Sequence, residues 1–373
     1  MKQTATAAVY VGGGQPLEIR RYPVLDPGPQ QVRLRLMSSG ICGTDMHIVK
    51  GRLALPGPMI IGHEFVGRVD AISDPKAKDA LGRPLTLGDL VIACVAVPCG
   101  ACLSCSAGET ASCMNFGVTY FADPADPPHF LGGYGEYLFS ATGNLIRIPE
   151  TFDMNAVAAF PCAGPTVIRA CEYGGGLSEG ELVVVQGTGP LGLFVISWAA
   201  SHGCLVIAVG SGANRRRCEL AIALGAKEVF DYRSSSVEER VEHIQSLARA
   251  QNRGDGADVV IEASGSPAAI PEGLALLRTR GRYLVPGQYS NSGEISIRPD
   301  MITFKAIRIT GSGQYTLVDI ETYLNYLHGN PCMQERFAEC ITHRYTVDRA
   351  NEALADVALG EVTKAVFVAS QAE

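Results

Sequence analysis

Four cysteines stand close together in the segment PCGACLSCSAGETASC, separated by two, two and seven residues. Such spacing brings four thiolates around one tetrahedral zinc ion, with zinc–sulfur bonds of about 2.3 Å. An iron–sulfur cluster is the main alternative, but the longer third gap and the lack of a second cluster-like run favour zinc. Because four thiolates leave no open coordination position, the sequence predicts a structural zinc site formed by Cys99, Cys102, Cys105 and Cys113.

The length and charge of the chain exclude several classes of partner. At 373 residues it is too long for one ordinary core and predicts two domains. With 38 acidic against 31 basic side chains and a net charge of −7, it indicates neither a nucleic-acid nor a membrane-surface partner. No apolar stretch is long enough to span a bilayer, and the first residues do not read as a signal peptide. We therefore expect a cytoplasmic protein that acts on a small molecule.

Two kinds of sequence pattern divide the chain. Residues 5–139 are dense in glycine and proline, with short alternating apolar stretches such as QVRLRLM, which is typical of a β-rich domain. Beyond about residue 162, the continuously apolar segments ELVVVQG, CLVIAVG, GADVVIEASG and GRYLVPG alternate with helical segments. Buried parallel strands have this character. The prediction is an α/β protein with a doubly wound parallel sheet, followed by mixed structure with helices at 318–328 and 349–359.

The first of the apolar strands ends in a glycine-rich turn, QGTGPLG, that opens a helix. Gly187 permits the tight turn, Gly189 lets the backbone approach a pyrophosphate, and Gly192 lets the helix pack close to the strand. The helix N-terminus at Pro190 and Leu191 then faces an anion. In this strand–turn–helix context the motif predicts a dinucleotide site.

The end of the second strand indicates which dinucleotide binds. An NAD site carries an acidic residue about twenty positions after the glycine motif, where it binds the ribose 2′-hydroxyl. Here the strand ends at Gly210 and continues through Ser211 to the basic run Arg215–Arg217. Guanidinium groups match a 2′-phosphate, so NADP(H) is favoured over NAD(H). The alternative is that the arginines form only a solvated first helical turn.

A second set of metal ligands is distributed over three segments. The segment CGTDMH supplies Cys42, GHEFVG supplies His63 followed by Glu64, and FPCAG supplies Cys162. Two cysteines and one histidine leave a fourth position on zinc for water or substrate, as a catalytic site requires. Each segment alone is a weak signal, because a single buried cysteine is usually a small core residue.

With these motifs in this order, the chain resembles the zinc-dependent alcohol dehydrogenases of the medium-chain dehydrogenase/reductase superfamily. The resemblance covers nearly the whole length. It implies a GroES-like β domain, residues 1–162 and 307–373, with a Rossmann domain, 163–306, inserted, and a cleft between them for cofactor and substrate. It also implies two zinc ions per chain, a catalytic one at Cys42, His63 and Cys162 and a structural one at the four-cysteine lobe.

The resemblance further implies a route for protons. Zinc lowers the pKa of a bound alcohol as it lowers that of bound water. Thr44 resembles the hydroxyl that begins the family's proton relay, with the cofactor ribose and His47 beyond it. A surface histidine is the alternative for His47. Asp45 is a candidate acceptor for the ring N–H of His63.

Two further charged residues have open roles. Glu64 either supports the zinc ligands from outside or enters the zinc shell transiently, as in relatives. Lys364, in the segment GEVTKAVF, stands where relatives often place a cation that contacts the cofactor pyrophosphate; a solvated lysine is the alternative.

The expected activity is hydride transfer between a nicotinamide cofactor and an alcohol or carbonyl compound. A non-redox, lyase-like enzyme and an NADPH-binding protein without enzymatic activity are the alternatives on the same scaffold. The family resemblance implies a homodimer or homotetramer. Substrate choice is expected to depend on residues 48–58, Val95, 116–134 and 285–289, where the aromatic and proline-rich segment 116–134 forms either a pocket wall or a surface loop.

Overall fold

The structure is a computed structural model that describes residues 3–94 and 96–370. Val95, which was predicted to line the substrate pocket, lies outside the described residues. The chain forms two compact units. The first comprises Met1–Cys162 and Gln314–Glu373, and the second is Ala163–Gly313.

Strands dominate the first segment of unit one. Along the strand Gln31–Gly40 the apolar Val32, Leu34 and Leu36 are buried, while Arg33 and Arg35 between them point to the more exposed face, as alternation predicts. The strands are β1 Thr4–Val9, β2 Glu18–Pro23, β3 Gln31–Gly40, β4 Glu64–Ile72, β5 Leu90–Ala93, β6 Ala96–Val97, β7 Gly117–Val118, β8 Tyr137–Ala141 and β9 Leu145–Ile148, and the helices are α1 Gly43–Val49, α2 Leu103–Ser106 and α3 Met154–Ala159.

Unit two alternates strands with helices. Its elements are α4 Ala163–Tyr173, β10 Leu182–Gln186, α5 Pro190–Ser201, β11 Leu205–Gly210, α6 Arg215–Ala223, β12 Glu228–Asp231, α7 Val237–Ala250, β13 Ala257–Glu262, α8 Ala269–Leu276, β14 Leu277–Val285, α9 Pro299–Lys305 and β15 Arg308–Gly311. All neighbouring strands are parallel, in the order β12-β11-β10-β13-β14-β15. This is the strand order of a Rossmann sheet. Its apolar core includes Val184, Ile207, Val260 and Tyr283.

The last segment returns to unit one with α10 Leu317–Gly329, α11 Pro331–Ala338, β16 Ile341–Tyr345, α12 Ala350–Leu359 and β17 Lys364–Phe367. Strand β17 pairs with β3 and completes a seven-stranded sheet, ordered β16-β17-β3-β4-β5-β9 with β8 paired to β3. The predicted helices at 318–328 and 349–359 correspond to α10 and α12. The large core of this unit contains Phe65, Phe130, Tyr134 and Phe367.

The second unit extends further than the 306 boundary drawn from the sequence. Strand β15 is the sixth strand of the parallel sheet, so the unit continues to Gly313. The sequence pattern also does not indicate β12. This strand has four residues, lies at the edge of the sheet and is only partly buried. Edge strands have one unpaired side and need fewer apolar residues, which removes the pattern that identifies interior strands. Within the described residues, no helix has both the length and the hydropathy to cross a bilayer.

Candidate metal centres and dinucleotide site

Four potential ligands converge in unit one. One ligand atom from each of Cys42, His63, Glu64 and Cys162 lies within 4.8 Å of every other. Cys42 is the N-cap residue of α1, two residues after the end of β3, and Glu64 begins the neighbouring strand β4, with His63 immediately before it. Cys162 follows α3, beyond the buried Phe160, whose ring packs against Phe337 with centroids 4.7 Å apart. Tetrahedral zinc with bonds of about 2.0–2.3 Å separates its ligand atoms by roughly 3.3–3.8 Å, so this donor set fits zinc.

The carboxylate of Asp45 contacts two of these residues, Cys42 and His63. One carboxylate oxygen, Oδ2, accepts a hydrogen bond from the N–H of Cys42 at 2.8 Å, and the other, Oδ1, lies 3.3 Å from Nδ1 of His63. With Nδ1 facing this carboxylate, Nε2 is the ring nitrogen left for a metal. Thr44 precedes Asp45 in α1, and its hydroxyl group lies 3.8 Å from the sulfur of Cys42. The structure thus places Thr44 and Asp45 beside the cluster.

The electrostatics of the cluster suit a divalent cation. A hydrogen bond with Cys162 holds the pKa of Cys42 well below its usual value and raises the pKa of Cys162. Burial by itself would lower the pKa of His63, but the charges of Asp45 and Cys42 outweigh it and hold that pKa well above its usual value. The cluster therefore holds protons on Cys162 and His63 that a divalent metal ion would displace on binding.

Lys364 is part of this centre and is not a solvated residue. Its ammonium group forms an ion pair with Glu64 and donates a hydrogen bond to the carbonyl of Ile41 at 3.2 Å, and both charged side chains are 2% exposed. Burial raises the pKa of Glu64 to about 7 although Lys364 opposes this rise. Burial lowers the pKa of Lys364, but Glu64 and Cys42 outweigh it, so that pKa is raised. The contact of Lys364 with a cofactor pyrophosphate stays a prediction.

Gly40 makes room for this ion pair. It is the last residue of β3 and is paired with Glu64 across the sheet. A Cβ atom added to Gly40 would collide with Oε2 of Glu64 and lie 2.9 Å from the Nζ atom of Lys364. A side chain at position 40 would therefore displace the carboxylate from its place among the candidate metal ligands.

Two histidines from the segments considered in the sequence, His47 and His129, lie outside the set of converging ligands. His47 is in the last turn of α1 and is half-buried, and burial followed by the charge of Arg52 lowers its pKa. A lowered pKa leaves this ring neutral near pH 7 and makes it a weaker base than an ordinary histidine. His129, in the segment 116–134, is buried with Nδ1 2.9 Å from the carbonyl of Pro124 and its ring stacked on Tyr22 at 5.2 Å.

The four-cysteine lobe also has metal-site geometry. One sulfur atom from each of Cys99, Cys102, Cys105 and Cys113 lies within 4.8 Å of every other, in the segment between β6 and β7. The sulfurs of Cys102 and Cys113 are 3.9 Å apart, near the roughly 3.8 Å separation of two thiolates on tetrahedral zinc. The N–H groups of Cys105 and Met114 lower the pKa of Cys102 to about 6, which favours the thiolate.

The glycine-rich turn of unit two has the conformation that the motif predicts. Gly187 has a φ of +118°, and a Cβ there would lie 2.9 Å from the backbone of Ala263. A Cβ on Gly192 would collide with the carbonyl oxygen of Gly187, so the helix can approach the strand only without a side chain. Gly189 is the N-cap of α5 and has open space around it, and Pro190 and Leu191 begin the helix. The N–H groups of such a first helical turn are able to bind an anion.

The β11–α6 loop carries both basic and acidic groups. Arg215 and Arg216 are exposed on the first turn of α6, and Nε of Arg215 donates to Glu219 at 2.9 Å. Gly210 ends β11, and Ser211 follows it. Asp231, at the end of β12, accepts a hydrogen bond from the N–H of Gly212, which lowers the pKa of its carboxyl group. Sequence reasoning missed Asp231 because β12 itself was not recognised.

The comparisons with known proteins agree with this geometry. Residues 28–150 match the family described as alcohol dehydrogenase GroES-like domain, and residues 190–328 match the family described as zinc-binding dehydrogenase. The chain is 33% identical to 5-exo-hydroxycamphor dehydrogenase of Pseudomonas putida, over 98% of this chain and 99% of that one. It is 27% identical to a sorbitol dehydrogenase of Halalkalibacterium halodurans, with 94% of each covered.

A solved structure leads to the same conclusion. The crystal structure of an alcohol dehydrogenase from Thermotoga maritima superposes with a TM-score of 0.90 at 28% identity and covers 99% of this chain and 100% of that one. The predicted combination of a GroES-like domain with a Rossmann sheet is confirmed. The chain belongs to the zinc-dependent alcohol dehydrogenases of the medium-chain dehydrogenase/reductase superfamily and is an NAD(P)-dependent oxidoreductase that acts on alcohols.

Proposed function

We propose that this enzyme interconverts a secondary alcohol and the corresponding ketone, with a catalytic zinc ion held by Cys42, His63 and Cys162. The observation that carries the proposal is the convergence of these ligands with Glu64, within 4.8 Å of one another. The names of two relatives suggest a secondary alcohol as the substrate. They are 5-exo-hydroxycamphor dehydrogenase and L-threonine 3-dehydrogenase, and the hydroxyl group to which each name refers is a secondary one. In oxidation the alcohol gives up a hydride to the nicotinamide and a proton to the protein.

The protein residues have distinct parts in this reaction. Bound zinc would supply Lewis-acid stabilisation of negative charge on the substrate oxygen. The hydroxyl of Thr44 begins the removal of the alcohol proton, since it lies 3.8 Å from the sulfur of Cys42 and thus beside the metal ligands. His47, in the last turn of the same helix, is the final acceptor in this protein: its ring is neutral near pH 7, and because burial and Arg52 lower its pKa it releases the proton readily to solvent. Asp45 orients His63, and Lys364 holds Glu64 next to the ligands.

The second zinc ion of the proposal is structural and is held by the four-cysteine lobe. Its four sulfurs fill a tetrahedral shell, so no position is left for substrate. We also retain the expectations of a cytoplasmic location and of a homodimer or homotetramer. The oligomer is supported by β15, an edge strand of the parallel sheet on which Ile309 is 47% exposed. Light scattering of the purified protein measures the oligomeric state.

The first test combines metal content with turnover. Protein purified without added zinc should contain two zinc ions per chain, one for each ligand cluster. The same protein should oxidise NADPH in the presence of cyclic and open-chain ketones and should be slower with the matching aldehydes. A chain with one zinc ion would contradict the two-site assignment. Two zinc ions with faster turnover of aldehydes would contradict the preference for secondary alcohols.

We further propose that the cofactor is NADP(H), with the 2′-phosphate bound by Ser211, Arg215 and Arg216. Both arginines are exposed on the first turn of α6, directly after the strand that follows the glycine-rich turn. Asp231 is bound to the N–H of Gly212 in the same loop and brings a negative charge near these cations. The preference for NADP(H) therefore requires that the two guanidinium groups attract the 2′-phosphate more strongly than the Asp231 carboxylate repels it.

Replacing Arg215 and Arg216 together by alanine should weaken NADPH binding about 100-fold and change NADH binding less than about twofold. The reason is that each charge-assisted hydrogen bond to a phosphate contributes about 1.5–3 kcal/mol, and NADH has no 2′-phosphate. Fluorescence titration with each cofactor measures the two dissociation constants. Arg249→Ala, which removes a cation from α7, is the matched control and should leave both unchanged. An equal loss for both cofactors in the double variant would refute the 2′-phosphate site.

A further inference from the structure

Tyr134 packs against residues 61–62, which immediately precede His63. Its N–H donates to the carbonyl of Ile61 at 2.9 Å, and the N–H of Gly133 donates to the carbonyl of Gly62 at 2.9 Å. Gly62 has a φ of +102°, and a Cβ there would collide with the Tyr134 ring. The other side of the ring packs edge-on against Phe367 with centroids 4.7 Å apart. The ring is therefore held in one place, against the residue that precedes His63.

The hydroxyl group of Tyr134 is deeply buried together with two other polar atoms. Among the described residues, Tyr134 Oη, Asp45 Oδ1 and His63 Nδ1 are buried atoms that make no hydrogen bond of standard geometry. Asp45 Oδ1 and His63 Nδ1 are 3.3 Å apart. Burial, and after it the Asp45 carboxylate, raises the pKa of Tyr134, so the phenol keeps its proton.

Energetics favour a contact between this proton and the carboxylate. An unpaired buried hydroxyl group costs about 1–3 kcal/mol, and a hydrogen bond to a charged acceptor is stronger than one between neutral groups. The side chain of Asp45 is completely buried, and its second oxygen is already bound to the N–H of Cys42. Oδ1 is therefore the charged acceptor available to Tyr134, and it is the oxygen that faces the imidazole ring.

We propose that Tyr134 is a positioning residue for the catalytic zinc: its hydroxyl donates to Asp45 and fixes the carboxylate that orients His63. The inference rests on the proposed zinc site. It assigns the metal centre a three-residue chain, from Tyr134 through Asp45 to His63, that holds the ring so that Nε2 faces the metal. Groups that support a ligand in this way set metal affinity as well as geometry. Segment 116–134, expected to form a pocket wall or a surface loop, thus ends in a residue that supports the metal ligands.

Tyr134→Phe removes one oxygen atom and leaves the packed ring in place. We expect zinc at the catalytic site to bind about tenfold more weakly, as measured by competition with a chromophoric chelator. The d–d absorption bands of the cobalt-substituted protein should also shift, because the geometry around His63 relaxes. The four-cysteine zinc is an internal reference whose affinity should not change. Excess zinc should restore turnover, which it would not do for a variant that is misfolded.

Tyr137→Phe is the matched control, because Tyr137 is a buried tyrosine of the same unit whose hydroxyl accepts a hydrogen bond from Gln3 at 2.9 Å. It should keep wild-type zinc affinity and the wild-type cobalt spectrum. Asp45→Ala, which removes the acceptor altogether, provides a second test: if the hydroxyl acts through Asp45, adding Tyr134→Phe to this variant should change zinc affinity less than about twofold. An additive tenfold loss would mean that Tyr134 acts by another route and would overturn the proposal.

The results separate this inference from the function on which it rests. Wild-type affinity and an unchanged cobalt spectrum in Tyr134→Phe, in a protein that binds two zinc ions, would overturn only the role of Tyr134. A loss of zinc affinity in Tyr137→Phe as large as that in Tyr134→Phe would also overturn only the role of Tyr134. A wild-type chain without zinc at Cys42, His63 and Cys162 would overturn both the role of Tyr134 and the proposed function.

Discussion

Cys42→Ala is expected to lower turnover at least about a thousandfold and to leave a folded protein that contains one zinc ion per chain. Cys42 would supply one of the two sulfur ligands of the proposed catalytic zinc, and its hydrogen bond with Cys162 holds its pKa well below the usual value. Losing the Lewis acid removes several kcal/mol of transition-state stabilisation, and each 1.4 kcal/mol is about a factor of ten in rate. Metal analysis and steady-state kinetics on the same preparation measure both effects.

The control for this variant is Cys340→Ala. Cys340 is a buried cysteine of the same unit and does not belong to either ligand cluster of the described residues. It should keep both zinc ions and near-normal turnover. Full activity of Cys42→Ala would contradict the catalytic assignment, and loss of both zinc ions would show that Cys42 supports the fold as well as the metal.

Lys364→Met should destabilise the protein by about 3–5 kcal/mol, because it leaves the buried carboxylate of Glu64 without its cation. The size of the effect should depend on pH. In the variant the pKa of Glu64 rises above the value of about 7 that it has beside Lys364, while in the unfolded chain it is near 4.5. The folded state then binds more protons than the unfolded state, so the free energy of unfolding falls as pH rises through this interval. Urea unfolding should therefore show a larger deficit at pH 8 than at pH 6.

The double variant Glu64→Gln with Lys364→Met tests the cause of this loss. Removing both charges leaves no unpaired ion in the interior, so most of the lost stability should return. Two results would contradict the explanation: a double variant as unstable as Lys364→Met alone, or a deficit that does not change with pH.

The sequence predicted best those features that are encoded within a few neighbouring residues. The four cysteines and the glycine-rich turn each occupy one short segment, and the structure gives them the expected conformations because their spacing and steric demands are local. Interior strands were also recognised, since a strand buried on both faces is continuously apolar. Strands β12 and β15 were not assigned, and the end of unit two was placed too early, because both strands lie at the edges of the sheet.

Contacts between segments that are distant in the sequence could not be predicted from such local patterns. Asp45 was a candidate from its place near Cys42, but the roles of Lys364, Gly40 and Tyr134 depend on strands β3, β4 and β17 and the segment before β8 meeting in unit one. Nothing in the local sequence distinguishes Tyr134 from a tyrosine of a surface loop. Only its burial and its backbone pairing with residues 61–62 reveal the polar atoms that it meets.

The ion pair of Glu64 and Lys364 joins positions 300 residues apart, with all of unit two between them. A ribosome adding about 5–20 residues per second would deliver Lys364 roughly 15–60 s after Glu64. The ligands of the four-cysteine lobe all lie within residues 99–113, so this lobe can load zinc while the chain is still being made. The ion pair, in contrast, forms only when β17 inserts beside β3, after the Rossmann domain has emerged. The order of synthesis therefore leaves the Glu64 carboxylate without its cation until the end of the chain has been made, and makes the pairing of this buried charge one of the last events of folding.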